Sequence, residues 1–439
     1  MSKSLQKWTN WSKSFSSFPE TILFPSSVKE ISALIKEAAE QKKKIKLIGS
    51  GHSCSTIAKT NEGFLVSLDK FNKVLSFDQK KLLVSVEAGI RLKDLLVYLR
   101  QNGATVSNLG TIDEQSLAGA ICTGTHGTGL QFGAIDQQIV SMELITAAGE
   151  TIKTSQSENP EIFKAARVSL GALGIISKIT LKVEPHYNLE VNTQTVTFEG
   201  MLQNLEQIHK TDYLRFWWAP HTNKVQQWSA NRTQKNCTQK NTTQEWLNGI
   251  FKGNIVHEFG LWLTSFFPLG IPKLNNFMYD LLFKKEVQQI GTAHEMFVLP
   301  ILVKQSVMEY AIPLENTKAA ISEMKTAIDK NFKVHMPIEL RFSPKNDASL
   351  SMAYHRETCY IGIISYKPYG KNIPHDVYFK KIHDILKKYD ARPHWAKKHF
   401  YDKLNLERLY PEWENFKQTK AELDPTGIFE NEYLKNIFS

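Results

Sequence analysis

Between Gly119 and Gly129 the chain reads Gly-Ala-Ile-Cys-Thr-Gly-Thr-His-Gly-Thr-Gly, and no other stretch narrows its possible folds as much. Glycines and threonines with a single large apolar residue cannot build a core on their own. Ordering such backbone costs conformational entropy, and a bound ligand is the usual compensation. A shorter relative lies upstream: the apolar run Ile45 to Ile48 leads into Gly49-Ser50-Gly51-His52-Ser53. Alternate glycines let the backbone turn sharply and bring its N–H groups close to a ligand, with the imidazole beside whatever is held. Taken alone, those residues read equally well as a strand-ending turn with a solvent-facing histidine. Two such loops roughly 70 residues apart suggest a diphosphate gripped from two sides by backbone amides.

Neither loop carries the dinucleotide fingerprint, because the third glycine counted from Gly49 would fall on Cys54. No Gly-Lys-Ser/Thr occurs either, which disfavours an ATPase as well as a Rossmann dehydrogenase. With 439 residues, 42% hydrophobic and 22% charged, the chain is globular, long enough for two or three domains. Its net charge of +10 is scattered apart from Lys42–Lys46 and pairs such as Lys397-Lys398. Without a basic stripe interleaved with aromatics, nucleic acid is a poor partner; an anionic cofactor or membrane surface remains compatible. Cys54, Cys122, Cys237 and Cys359 lie far apart, so neither a disulfide framework nor a structural zinc site is expected. The opening Met-Ser-Lys-Ser-Leu-Gln-Lys has no apolar signal region, so the sequons at Asn231, Asn236 and Asn241 read as an ordinary polar loop. A cytoplasmic or peripherally membrane-associated protein is expected. The longest apolar patch, Phe259 to Pro272, falls short of the ~20 residues a membrane span needs, and packing inside the protein is the favoured reading over an interfacial segment.

Helical spacing of Val28, Ile31, Leu34 and Ile35 behind Ser26-Ser27 predicts a helix over 27–43. Strands are expected at 63–68, 82–89, 140–146 and 175–183, with helices at 92–102 and 160–168. This alternation from residue 18 to about 185 describes an α+β domain. Beyond Tyr187 the texture changes to aromatic strands at 213–218, 337–342 and 359–366, helices at 314–329 and 374–389, and a polar segment at 231–245.

Glu339 and Arg341 flank Leu340 in one of those strands, so both side chains face the same way. An ordinary surface ion pair is the commoner reading; orientation of a hydroxylated substrate is the alternative. His394 and His399 lie five apart, but the lack of a carboxylate at ligand spacing and the intervening lysines make a metal site unexpected. Lys397 alone reads as a solvated lysine, and Asp424-Pro425-Thr426-Gly427 as a turn.

Together these pieces resemble the aldonolactone oxidoreductases of the vanillyl-alcohol-oxidase flavoprotein superfamily. The markers run nearly end to end: Gly-Ser-Gly-His-Ser at 49–53, Ser-Asn-Leu-Gly at 107–110, the glycine stretch at 118–129, Leu-Gly-Ala-Leu-Gly at 170–174, Glu-Leu-Arg-Phe at 339–342, Arg-Pro-His-Trp-Ala-Lys at 392–397 and Leu-Asp-Pro-Thr-Gly-Ile-Phe at 423–429. The resemblance implies an α+β fold with a two-subdomain FAD-binding domain at 1–185 and an α+β substrate or cap domain with an antiparallel sheet at 186–415. A tail at 416–439 would return to the FAD domain. FAD would contact Gly49, Ser50, Gly51, Ser53, Gly119, Thr123, Gly124, Thr125, His126, Gly127, Gly174 and Ile175, with Gly110 and Thr111 beside the reactive flavin locus. His52 falls on the position that links covalently to the isoalloxazine methyl carbon, and a glycine at 110 resembles the oxidases, leaving dioxygen a path. Glu339, Arg341 and Lys397 match the substrate-side catalytic residues. The implied reaction oxidises an aldono-1,4-lactone such as L-gulono-1,4-lactone at C2, with hydride passing to flavin N5, proton uptake aided by Glu339, and dioxygen reduced to hydrogen peroxide. A dehydrogenase passing electrons to a quinone or cytochrome, an alditol oxidase and a non-catalytic sugar binder are the rival readings.

Overall fold

The computed structural model of the chain describes residues 6–239, 247–283 and 285–438. Local sequence explains the first helix, Val28–Glu40: Ser27 accepts a hydrogen bond from the Glu30 amide, and Ile31, Leu34, Ile35 and Ala38 form one buried face. Burial of the three larger side chains contributes ~1.5–3 kcal/mol each. Ile35→Asp would break that face by burying an unpaired charge. Phe64–Ser67, buried along its whole length, runs between Thr21–Leu23 and Ile45–Ile48 and is parallel to both. An apolar strand covered on both faces is what parallel pairing requires.

A second sheet, antiparallel, places Thr151–Ser155, Ile139–Ile145, Ile175–Lys182, Leu83–Glu87 and Val74–Asp78 side by side. The larger antiparallel sheet has eight strands among the described residues. At its middle Ile338–Ser343 lies between Tyr213–Trp218 and Thr358–Tyr366, with Glu339 opposite Trp217 on one side and Gly362 on the other. The fold is α+β, and one hydrophobic cluster runs from the first helix through both large sheets to the last helix, Glu432–Phe438.

Residues 427–429 lie along the start of the strand Ile45–Ile48. Lys44 Nζ, the Ile45 amide and Lys46 Nζ donate to the carbonyls of Gly427 (2.6 Å), Ile428 (2.8 Å) and Phe429 (3.3 Å). Asp424 shapes that turn by accepting from the Ile428 and Phe429 amides. Asn431 Nδ2 reaches the carbonyls of Thr56, Ile57 and Lys59.

Three expectations need correction. The 259–272 patch is not interior: helix His257–Thr264, a short turn of 3-10 helix and helix Ile271–Phe283 carry it on the surface, with Leu269 85% and Phe267 67% exposed. Two prolines, with Gly270 between them, break the run into pieces too short to present one buried face. The polar segment at 231–245 begins as strand, since Lys224–Thr233 pairs Asn231 with Glu190; Asn241 lies outside the described residues. Within the glycine-rich stretch, Leu117–Cys122 is a helix with Leu117, Ala120 and Ile121 buried, so that part does contribute to the core.

Candidate active site

Ile45–Ile48 ends at Gly49, and the loop that follows walls a cavity of about 1050 Å³ together with Gly119, Thr123 and Gly174. Among the described residues, the backbone amides of Ser50, Gly51, His52 and Ser53 have no protein hydrogen-bond partner. Four consecutive free donors at one cavity wall form an anion cradle. Glycine is required in it twice over: a Cβ on Gly49 would stand 2.5 Å from Ser116 Oγ, and Gly51 has φ +72° with a Cβ position 2.9 Å from the Trp8 ring. Lys46 lines the same cavity, and burial pulls its ammonium down to about 7, so an arriving phosphate would favour its charged form. The expected FAD pyrophosphate fits these donors.

His52, Ser53 and Gln115 also line a second cavity of about 570 Å³, shared with Gly110, Thr111, Thr125, His126, Glu309, Glu339, Arg341, His394 and Lys397. His52 therefore stands at the junction. Its pKa is lowered to about 4, by burial first and then by the Lys397 and Lys304 charges, which keeps the imidazole neutral and nucleophilic. Of the residues expected to touch cofactor, Gly124, Gly127 and Ile175 line neither cavity. Gly124 packs on Met352, a Cβ on Gly127 would collide with Asn108, and Ile175 is buried in its strand, so these three position the walls from behind.

Glu339 and Arg341 are not a surface pair. Arg341 Nη2 donates to Glu339 Oε1 at 2.7 Å, and Trp217 Nε1 donates to the same oxygen at 2.7 Å. Arg341 Nη2 also reaches Thr111 Oγ1 at 3.3 Å, which ties the large sheet to the loop at 110–111. Burial raises the Glu339 pKa, but Arg341 and then Arg215 outweigh it, so the carboxylate stays ionised below its ordinary value. Arg215 is itself buried, and burial brings it down to about 10.

Across Gly362 from Glu339, on the same sheet, lies Glu309, which sequence reasoning missed, as it missed Tyr360. Glu309 Oε1 lies 3.1 Å from His126 Nε2, while His126 Nδ1 faces the Gly127 carbonyl at 3.0 Å. Both ring nitrogens thus face acceptors, and the pair is satisfied only if it holds one proton more than a neutral ring and a carboxylate would carry. Tyr360 stacks on the imidazole with centroids 3.4 Å apart. Burial raises the Glu309 pKa, yet His126, then His394 and Lys397, drive it well below the carboxylate range. His394 joins these two in a group whose potential ligand atoms lie within 4.8 Å of one another. Its Nδ1 accepts from the Ala396 amide at 3.2 Å, which leaves the neutral ring's proton on Nε2 and accounts for His394 without a metal. His399, grouped with His394 by spacing, instead meets Tyr433 OH at 3.1 Å in the docked tail.

Residues 19–155 match the family model described as an FAD binding domain, and residues 179–437 match that of D-arabinono-1,4-lactone oxidase. The chain is 38% identical to the L-gulonolactone oxidase of Bos taurus and 37% identical to that of Scyliorhinus torazame, with 98% of each chain covered. It is 33% identical to the L-gulono-1,4-lactone dehydrogenase of Mycobacterium tuberculosis over 98% of both chains. The crystal structure of cholesterol oxidase from B. sterolicum superposes with a TM-score of 0.81 at 13% identity, over 99% of this chain and 97% of that one, a likeness of fold.

Proposed function

The chain belongs to the D-arabinono-1,4-lactone oxidase family, and from that premise we propose that it oxidises an aldono-1,4-lactone at C2 with FAD and dioxygen, giving an ascorbate-type product and hydrogen peroxide. The observation that carries this reading is the buried Arg341–Glu339 pair facing a cavity that meets the four-amide cradle at His52.

Bound FAD would supply the two-electron acceptor for the C2 hydride and hand the electrons to dioxygen. The protein's part is positioning and charge. Arg341 and Trp217 hold Glu339 Oε1, which leaves Oε2 to accept hydrogen bonds from lactone hydroxyls. A carboxylate held ionised in this way holds the C2 hydroxyl proton weakly, so Glu339 receives it briefly rather than storing it. The Arg341 and Lys397 cations stabilise negative charge developing on the substrate oxygen and on the reduced cofactor. Gly110 lines the reaction cavity with no side chain and keeps an approach open for dioxygen. His52, neutral and at the junction, would hold the flavin through a covalent bond to the isoalloxazine methyl carbon. The cofactor domain is residues 1–185, the substrate domain 186–415, and the tail 416–439 braces the first.

The test is aerobic turnover of L-gulono-1,4-lactone and D-arabinono-1,4-lactone by purified protein. One hydrogen peroxide per lactone is expected. Turnover only with an artificial electron acceptor would sink the oxidase reading in favour of the dehydrogenase, and absence of bound flavin would sink both.

The exposed hairpin of helices supports a further part of the proposal, peripheral contact with a membrane. Phe259, Leu263, Phe266, Phe267, Leu269 and Phe277 are exposed on it, and Lys371 lies beside Phe266. No described helix is long and apolar enough to cross a bilayer. Sedimentation with anionic vesicles, abolished by Phe267→Ser with Leu269→Ser, is expected; no sedimentation of the unaltered protein would remove this part.

A further inference from the structure

Neither ring nitrogen of His52 has a hydrogen-bond partner among the described residues, so packing alone sets the direction in which this imidazole points. The packing comes from residues 8–17. Trp8–Thr9 pairs with Ser16–Ser17 to form a small hairpin, and its turn lies against the cofactor loop. The Trp11 amide donates to the Gly51 carbonyl at 2.9 Å, and buried Asn10 donates through Nδ2 to the Ser53 carbonyl at 3.0 Å. These two bonds bracket His52. The Trp11 indole then covers the imidazole, with centroids 4.9 Å apart and planes at 30°. Lys304 Nζ lies 3.9 Å from the centroid of the same indole, which anchors Trp11 to the substrate half of the molecule. Behind the loop, the Cys54 amide is fixed to the Ala396 carbonyl at 2.6 Å, next to Lys397.

A ring held by hydrogen bonds would have at least one nitrogen occupied; this one keeps both available and depends on a neighbour for orientation. Bond formation is sensitive to such orientation, and a misplacement of ~1 Å can cost ~100-fold in rate. We propose that the amino-terminal hairpin is a positioning device for covalent flavin attachment, in which Trp11 aims the His52 imidazole at the isoalloxazine methyl carbon. The inference rests on the covalent reading given above. In the step, an N–C bond replaces one imidazole N–H and one methyl C–H. The two electrons pass through the flavin ring system to dioxygen, which takes up both protons as hydrogen peroxide.

The experiment follows attachment over time. Apoprotein of the unaltered chain, Trp11→Ala and Trp11→Phe is incubated with FAD in air, then precipitated in acid, and flavin is measured in pellet and supernatant. Attachment at least tenfold slower in W11A, with total flavin per chain unchanged and the rate largely recovered in W11F, is expected. Attachment by W11A at the unaltered rate would overturn the inference. If W11A binds no flavin, Asn10→Ala decides: attachment at the unaltered rate in that variant would likewise overturn it. A colourless pellet from the unaltered protein would overturn the covalent reading itself, whereas a yellow pellet with indifferent variants would overturn only the role of Trp11.

Discussion

One cavity holds two carboxylates, Glu309 buried and Glu339 partly so, and they are kept ionised in different ways. Glu339 is paired with Arg341, two residues away on the same strand, and with Trp217 on the next strand. Glu309 is paired with His126, which lies 183 residues earlier in the chain. A guanidinium is charged at any pH the protein meets, so the first pair is a fixed ion pair. The second depends on two residues far apart in the chain staying together. The first is the pair proposed to face substrate; the second joins two distant parts of the chain.

The largest effect that would sharpen this contrast is on turnover. Arg341→Met should lower kcat/KM by on the order of 10²–10³, about 2.7–4 kcal/mol, with little change in flavin content. Retained activity would place charge stabilisation elsewhere, on Lys397. Next comes stability. Glu309→Leu leaves the buried His126 Nε2 without its acceptor and should cost ~3 kcal/mol, measured by thermal unfolding. Glu309→Gln should stay within ~1 kcal/mol, because its amide can donate to a neutral imidazole. Equal losses from both substitutions would mean that packing, not the shared proton, holds this pair. The smallest effect is a shift in pH profile. The folded Glu339 pKa lies below the ordinary 4.5, so the group is ionised above that folded value and its contribution is lost as pH falls through it. The acid limb of kcat/KM is therefore expected below pH 4.5 in the unaltered protein. Arg215→Met, which removes the second cation near Glu339, should move that limb upward while Arg341 keeps the rate at neutral pH. An unmoved limb would detach Glu339 from the profile.

The same contrast explains what could be read from sequence. Glu339 and Arg341 announce themselves because a strand of period two puts neighbours-but-one on one face. Their burial did not announce itself, since it depends on Trp217 arriving from a strand more than a hundred residues upstream. Glu309 sits in Gln305–Pro313, which is buried throughout, and its carboxylate is marked only by a histidine 183 residues away. No local period could reveal that. The glycine loops were legible because backbone exposure is a local property, while the short helix within the second needed Leu117, ahead of the glycines, to be included in the pattern. The apolar stretch at 259–272 misled for the opposite reason: hydrophobicity is local, but what covers it is not.

The paired carbonyls of 427–429 and donors of 44–46 have a consequence for how the molecule is made. On a ribosome, the strand Ile45–Ile48 emerges well before the segment that fixes it. Contacts spanning 383 residues close slowly, because the intervening chain must first be brought together. The loop that follows this strand is thus braced only once residues 427–429 have been made.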